Sequence, residues 1–345
     1  MMLVAFELSG EHPELPCAEV VAALSAMGLA HGEVAHTDGQ LLVSIECQEQ
    51  PLHKLASRLS MSRYVMCVLA VAPSVAALSR MAQSVESADI GESFCVRARG
   101  VGGARINSEH VEKKVGALVR ALTGKRVSLS SPESVLRVLV GKERCVLGRV
   151  LSATARRELQ RERPHERPFF HPGVMLSVLA RTVINLTETK EGGRLLDPFC
   201  GTGGLLIEAA RIGCIQVGGD AQSYILRGAR TNLAQLRLHS ELVHLDATSL
   251  PFSDGSMDGA ACDPPYGRSA RRMAESEHML YMHSLFELER VLRKDANAVM
   301  VYAHNLYKGE PIADIAQRAG FELESCFTLR VHKSLTRCIL VLHKG

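Results

Sequence analysis

The chain opens on short apolar runs separated by mixed stretches. Met2 to Leu8 is strand-like, and the apolar-rich run from Ala18 to Met27, ended by Gly28, predicts a helix. Leu41 to Ile45 predicts a second strand, Leu52 to Leu59 a second helix and Val65 to Val71 a third strand. This β-α-β-α-β order over residues 1–70 implies a small α+β layer with a scaffolding role. Residues 71–155 continue the rhythm: a helix near Ser74 to Val85, a strand from Phe94 to Arg99, a helix capped by Ser108 and running to about Leu122, then strands at Val135 to Val140 and Arg144 to Val150. Residues 156–170, RRELQRERPHERPFF, read as a charged, proline-punctuated connector.

From Arg194 onward, strands alternate with helices. After a helix at Met175 to Leu186, strands are expected at Leu195-Leu196, Gln216 to Gly219, Leu242 to Leu245, Gly259 to Cys262, Ala298 to Tyr302, Phe321 to Thr328 and Arg337 to Leu342. Helices fall between them near Leu205 to Ile212, Ser223 to Leu236, Met279 to Leu292 and Ile312 to Ala319. Such alternation predicts an α/β domain: a mostly parallel sheet of seven strands, covered by helices on both faces, with a ligand at the carboxyl ends of the strands. The short connection between the last two strands makes that pair antiparallel.

Composition narrows the setting. With 345 residues, 46% of them apolar, two or three domains with proper cores are expected. The start of the chain has no basic segment followed by an apolar one, so no signal peptide is read there. The longest uncharged run, Tyr64 to Ser79, spans 16 residues and contains Pro73, short of the ~18–20 needed to cross a bilayer. Ten cysteines lie no closer than the 12 positions between Cys326 and Cys338, with no C-x-x-C. Most sit in apolar runs (Cys67, Cys95, Cys214, Cys262), which favours buried, reduced thiols over any metal site and a cytoplasmic protein.

The net charge of +3 is unevenly divided: −5 over residues 1–70, +8 over 71–170 and zero over 171–345. A basic middle segment suits a polyanion, although a solvated surface without a partner has the same composition. Arg97 and Arg99 share one face of their strand. With Arg105, Lys113, Lys114, Lys125 and Arg126 they are the candidates for phosphate contact.

The densest chemistry follows Leu195-Leu196. Asp197-Pro198 stops a buried strand, and Gly201, Gly203 and Gly204 permit a tight turn into the helix-forming run Leu205 to Ala210. Strand, glycine turn and helix present free backbone N–H groups to a nucleotide-like ligand. The dinucleotide fingerprint is excluded, because Leu206 stands where its third glycine belongs. A turn opened by Asp-Pro and lacking that glycine is the kind S-adenosylmethionine-binding folds use. Asp197, Asp220 and Asp246 close three consecutive strands. Asp220 is placed to accept from ribose hydroxyls and Asp246 from an adenine amino group, where caps of turns are the alternative reading.

Asp263-Pro264-Pro265-Tyr266-Gly267 follows the fourth strand of this domain. A nucleobase amino group is a poor nucleophile, because its lone pair is delocalised into the ring. Acceptors that hold its hydrogens let the nitrogen pyramidalise. Asp263 and the Pro264 carbonyl offer two, stiffened by Pro265, and Tyr266 offers a face for an unstacked base.

These segments resemble the class I S-adenosylmethionine-dependent methyltransferases, in their amino-methylating branch with the motif [DNS]-P-P-[YFW]. RPFFHPGVM (Arg167–Met175), DPFCGTGGLLIEAA (Asp197–Ala210), DPPYGRS (Asp263–Ser269) and RVHKSLTRCILVL (Arg330–Leu342) are similar to the archaeal and eukaryotic tRNA guanine-N2 methyltransferases acting at guanosine 10. Upstream, the F-x-V-R-x-R strand and Glu112-Lys113-Lys114-Val115-Gly116 resemble a THUMP domain with its usual ferredoxin-like partner. The resemblance implies a ferredoxin-like domain at 1–70, a THUMP RNA-binding domain at 71–155, a linker at 156–170 and a Rossmann-like methyltransferase domain at 171–345. It implies cofactor contact along Asp197, Pro198, Phe199, Cys200, Gly201, Thr202 and Gly203, at Asp220-Ala221 and Asp246-Ala247, and at His171-Pro172, although His171 in a turn also suits a structural role. It implies base handling by Asp263, Pro264, Pro265 and Tyr266, with tRNA as substrate and S-adenosylmethionine as cofactor. Eukaryotic relatives add a small zinc-binding activator subunit as a candidate partner. Family members commonly place an aliphatic residue after the second strand's aspartate; Ala221 is a small departure that leaves the ribose assignment intact. Mono- and dimethylation, another guanosine, a DNA amino group as acceptor, and an RNA-binding protein with a vestigial cofactor fold remain as alternatives.

Overall fold

The structure, a computed structural model, describes residues 2–37, 39–81, 85–265 and 274–345. Tyr266 and Gly267 therefore lie outside the described residues. The chain divides into two compact units: Met1–Leu24 with Gly28–Arg157, and Glu158–Gly345 with Ser25–Met27.

The first unit runs β1 (Met2–Leu8), α1 (Leu15–Ala26), β2 (His31–Thr37), β3 (Gln40–Ile45), α2 (Glu49–Arg58), β4 (Ser62–Ala72), α3 (Val75–Met81), β5 (Ser93–Gly100), α4 (Ser108–Thr123), β6 (Arg126–Val127), β7 (Ser134–Val140) and β8 (Cys145–Ala153). Its single sheet has the order β2-β3-β1-β4-β8-β7-β5-β6. The boundary expected at residue 70 falls inside β4, which pairs antiparallel with β1 on one side and β8 on the other. The first two predicted segments thus share one sheet.

Strand β2 was not expected: HGEVAHT carries little apolar signal because it is an edge strand paired only with β3. The cap of α4 also differs from expectation. Asn107 rather than Ser108 accepts the His110 N–H at 3.0 Å, and Gly124 at φ 69° ends the helix.

The second unit comprises α5 (Arg156–Leu159, spanning the boundary), α6 (Ser177–Leu186), β9 (Arg194–Asp197), α7 (Gly204–Arg211), β10 (Ile215–Asp220), α8 (Ser223–Gln235), β11 (Glu241–His244), β12 (Gly259–Cys262), α9 (Ala274–Val291), β13 (Asn297–Ala303), α10 (Ile312–Ala319), β14 (Phe321–His332) and β15 (Leu335–Lys344). The sheet order is β11-β10-β9-β12-β13-β15-β14, with β15 antiparallel to both neighbours and the remaining pairs parallel. Chain order reverses between β9 and β12, so their carboxyl ends flank the switch point where open α/β sheets bind ligands. Behind it, Tyr281, Leu285 and Leu288 of α9 pack with Ile312 and Ile315 of α10 and Met300 of β13 in one buried core.

The charged connector is anchored to this unit rather than loose. The Glu162 carboxylate accepts from Ser177 Oγ at 2.7 Å and meets Arg211 at 2.5 Å and Arg167 at 3.5 Å. Further along, Phe169 N–H donates to Asn232 Oδ1 of α8, while Asn232 Nδ2 donates to the carbonyls of Phe169 and Thr202. The Phe169 ring lies where any Cβ on Gly228 would stand. One buried asparagine thereby fixes both the segment leading to His171 and the glycine turn.

Among the described residues no helix is long and apolar enough to cross a membrane. All ten cysteines are free thiols. Burial is less uniform than expected: Cys17, Cys47 and Cys67 are half-buried and Cys326 is exposed, 3.0 Å from the sulfur of buried Cys338.

Candidate active site

At the carboxyl ends of β9, β10 and β12 lies a cavity of about 520 Å³, a size typical of small-ligand pockets. Its wall includes His171, Pro172, Asp197, Pro198, Phe199, Cys200, Gly201, Thr202, Asp220, Ala221, Asp246, Ala247, Asp263, Pro264 and Pro265. Segments separated by almost a hundred residues therefore meet in one place. Gly203, expected at the cofactor, is not on the wall; it starts α7 at φ 84° facing Ala229 and Leu233 of α8. A side chain there would be strained by the left-handed backbone, so the glycine serves the turn.

Each acid sits differently. Asp197 is buried, with Oδ1 accepting the Phe199 N–H at 3.1 Å. Burial pushes its carboxyl well up; the Phe199 N–H opposes this, while Asp220 and Asp263 add to it. Asp220 accepts the Gly201 N–H at 3.1 Å and the Gln222 N–H at 2.9 Å, one on each oxygen. It clamps the glycine turn to the end of β10 while keeping acceptor capacity towards the cavity. Burial raises its pKa against those N–H groups and the nearby His171 and His244. Asp246 is exposed and closes a turn, accepting from Thr248 N–H at 2.9 Å and Thr248 Oγ1 at 2.7 Å, bonds that hold its pKa below the usual range.

Asp263 follows β12 directly. Burial pushes its carboxyl up to about 6, and Arg337 on β15 works against that rise. Arg337 Nη2 donates to Asp263 Oδ2 at 3.0 Å. The other oxygen, Oδ1, is buried and has no partner among the described residues. Leaving a buried acceptor unsatisfied costs about 1–3 kcal/mol, so this atom marks where a donor on a ligand belongs.

Residue-by-residue reading of the sequence left out part of the wall. Gln222, Tyr224 and Ile225 contribute from the start of α8, Leu280 from α9, and Gly173, Val174 and Met175 from the segment before α6. Their positions just after strand ends or before a helix were the available signal. In the sequence Arg337 sits inside the longer Arg330–Leu342 motif, and its charge ahead of the apolar run Cys338 to Leu342 is the feature that singles it out.

In the first unit, several candidate RNA contacts are already engaged. Arg97 pairs with Glu112 at 3.8 Å, Arg99 with Glu7 at 3.3 Å, Lys113 with Glu109 at 2.6 Å and Lys125 with Glu92 at 2.8 Å. Arg105, Lys114 and Arg126 are exposed and form no ion pair among the described residues.

Residues 164–308 match the RMKL-like methyltransferase domain family and residues 74–150 the THUMP domain. The chain is 33% identical over 339 residues to the tRNA (guanine(10)-N2)-dimethyltransferase of Methanothermobacter thermautotrophicus, covering 98% of each chain. It is 28% identical to the protein of the same name from Methanocaldococcus jannaschii, covering 99% of this chain and 100% of that one. In fold it is similar to the crystal structure of TrmN from Thermus thermophilus, with TM-score 0.55 and 24% identity over the full length of both.

Proposed function

The chain belongs to the family of tRNA (guanine(10)-N2)-dimethyltransferases, and on that premise we propose that it transfers methyl groups from S-adenosylmethionine to the exocyclic N2 of guanosine 10 in tRNA. The observation that carries this reading is the unpartnered Asp263 Oδ1, buried in the same cavity as the strand-end acids Asp197, Asp220 and Asp246.

The residues fit the cofactor. Gly201, at φ 51°, has nothing but the Phe199 carbonyl near where a Cβ would stand, so a ligand can approach its backbone closely. Asp220 and the Ala221-Gln222 backbone suit a ribose and the adjoining base edge, and Asp246 suits an adenine amino group. When bound, S-adenosylmethionine supplies an electrophilic methyl on a sulfonium.

The protein's own contribution is to prepare the acceptor nitrogen. Asp263 Oδ1 accepts one N2–H and the Pro264 carbonyl a second, drawing electron density back onto nitrogen and fixing its direction. An ionised Asp263 also favours the positive charge that grows on nitrogen during transfer, and it is the nearest group to take the proton released afterwards. After one transfer N2 keeps a single hydrogen, for which Oδ1 alone suffices. The same arrangement therefore serves a second methylation.

Reaching the cavity requires the target base to leave its stack, at a cost of a few kcal/mol that tRNA contacts elsewhere offset. We assign those contacts to the first unit, with Arg105, Lys114 and Arg126 as phosphate ligands. The test is nucleoside mass spectrometry of unmodified tRNA incubated with the protein and methyl-labelled cofactor. Label in N2-methyl- and N2,N2-dimethylguanosine mapped to position 10 is expected. Label only in another base, or none despite cofactor binding, would refute the proposal.

A further inference from the structure

Arg337 is a buried cation on a strand whose next five residues are apolar core, and its side chain is only 5% exposed. In register it lies between Ala303 of β13 and Leu329 of β14, neither of which balances its charge. A guanidinium buried there is costly unless it is paired and hydrogen-bonded. Arg337 Nη2 bonds Asp263 Oδ2 at 3.0 Å and the Gly173 carbonyl at 3.2 Å. Asp263 and Gly173 line the cavity: Asp263 beneath the acceptor amine, and Gly173 in the His171-Pro172-Gly173 segment at its edge.

Resting on the methyltransferase reading above, we infer that Arg337 is the positioning residue of the reaction: it takes Oδ2, leaves Oδ1 turned to the amine, and keeps the carboxylate ionised. The groups around Asp263 bear this out. Asp197 of β9 and the thiol and phenol of Cys262 and Tyr281 surround it, all neutral or negative; Glu277 next to Tyr281 is negative as well. Arg337 is the cation that opposes burial at this carboxyl. Without it, both the direction and the charge of the acceptor are lost together. The same nitrogen ties the carboxylate to Gly173, so the segment at the edge of the cavity and the reacting group are set by one side chain.

The test compares wild type, R337Q and R337K by tRNA methylation from about pH 5.5 to pH 9, with kcat and KM separated and cofactor affinity measured by calorimetry. R337Q is expected to lose about tenfold or more in kcat at neutral pH, with its acid limb displaced upward. The part of the loss due to charge returns at the alkaline end and the several-fold part due to direction remains, while the KM for tRNA stays unchanged. A fall of equal size at every pH, with the limb unmoved, reduces Arg337 to a packing role and overturns the inference. R337K carries the same test should R337Q fail to bind cofactor. An ammonium keeps the charge but rides on a shorter, more flexible stem that does not hold the position of Nη2, so the limb stays in place while kcat falls several-fold. An R337K limb that moves upward, or an undiminished kcat, also overturns it. Failure of the functional reading is seen separately, as a wild-type protein that binds cofactor yet leaves tRNA guanosine unmodified.

Discussion

Replacing Asp263 with asparagine separates the catalytic demand on this residue from its cost to the fold. Asparagine preserves the shape and one oxygen. Because Arg337 lies 3.0 Å from Oδ2, it claims that oxygen and turns the amide NH2 to where Oδ1 faces the cavity. Two donors then meet, NH2 against the guanine amine. Losing a preorganised partner of this kind costs about 10²- to 10³-fold in kcat, with cofactor affinity unchanged.

Stability should move the other way. The folded pKa of about 6 stands roughly two units above that of an unfolded aspartate. The native state thus holds this proton more tightly than the unfolded chain does. Relative to the asparagine variant, wild type gains stability as pH falls through about 6 towards 4 and loses it as pH rises. Integrating between pH 5 and pH 7 gives about 1.3 kcal/mol lost by wild type against the variant. The side chain is only 16% exposed, so solvent screening takes little from that figure.

Denaturant unfolding of both full-length proteins at the two pH values measures the difference directly, and methylation assays give the kinetic half. In wild type, kcat should fall about tenfold from pH 7 to pH 5 as Asp263 takes up its proton. A variant that keeps turnover within tenfold of wild type, or a stability difference that does not change with pH, would refute this role for Asp263.

Three other perturbations follow from the geometry. Gly228→Ala puts a methyl about 2.0 Å from the Phe169 ring, so Phe169 must move; a loss of about 1–3 kcal/mol is expected, together with weaker cofactor binding in calorimetry. Asp220→Ala removes the acceptor that clamps Gly201 and Gln222, and should weaken cofactor binding more than tRNA binding, checked by separate titrations. Charge reversal of Arg105, Lys114 and Arg126 together should raise the KM for tRNA and flatten its salt dependence, by roughly 0.7–0.9 in log–log slope for each phosphate no longer neutralised, with cofactor affinity unaltered.

What could be read from the sequence was what lies close together along it. The inner strands of the second unit, such as β12, β13 and β15, announced themselves as apolar runs because both faces of the sheet are covered there, and the glycine turn and Asp-Pro-Pro segment as short contiguous motifs. Strand β2 escaped because an edge strand needs few apolar residues, and the shared sheet of the first unit because pairing across β4 leaves no local mark. Charged residues were the least legible. Nothing near Arg99 in the chain says that it meets Glu7, more than ninety positions earlier, and nothing near Lys125 that it meets Glu92. Composition counted these cations as available to a polyanion, whereas folding had already engaged them.

The same blindness explains Arg337, whose bond to Asp263 spans 74 positions. The motif specifies a carboxylate beside two prolines, but whether that carboxylate is ionised at neutral pH, and which oxygen it offers, depends on burial and on a cation from the other end of the domain. Aspartate and asparagine both satisfy the motif pattern, yet only aspartate can give one oxygen to the guanidinium and keep another for the amine. The choice between them at this position is therefore made by β15, and a relative with asparagine there should lack an arginine in register with Arg337.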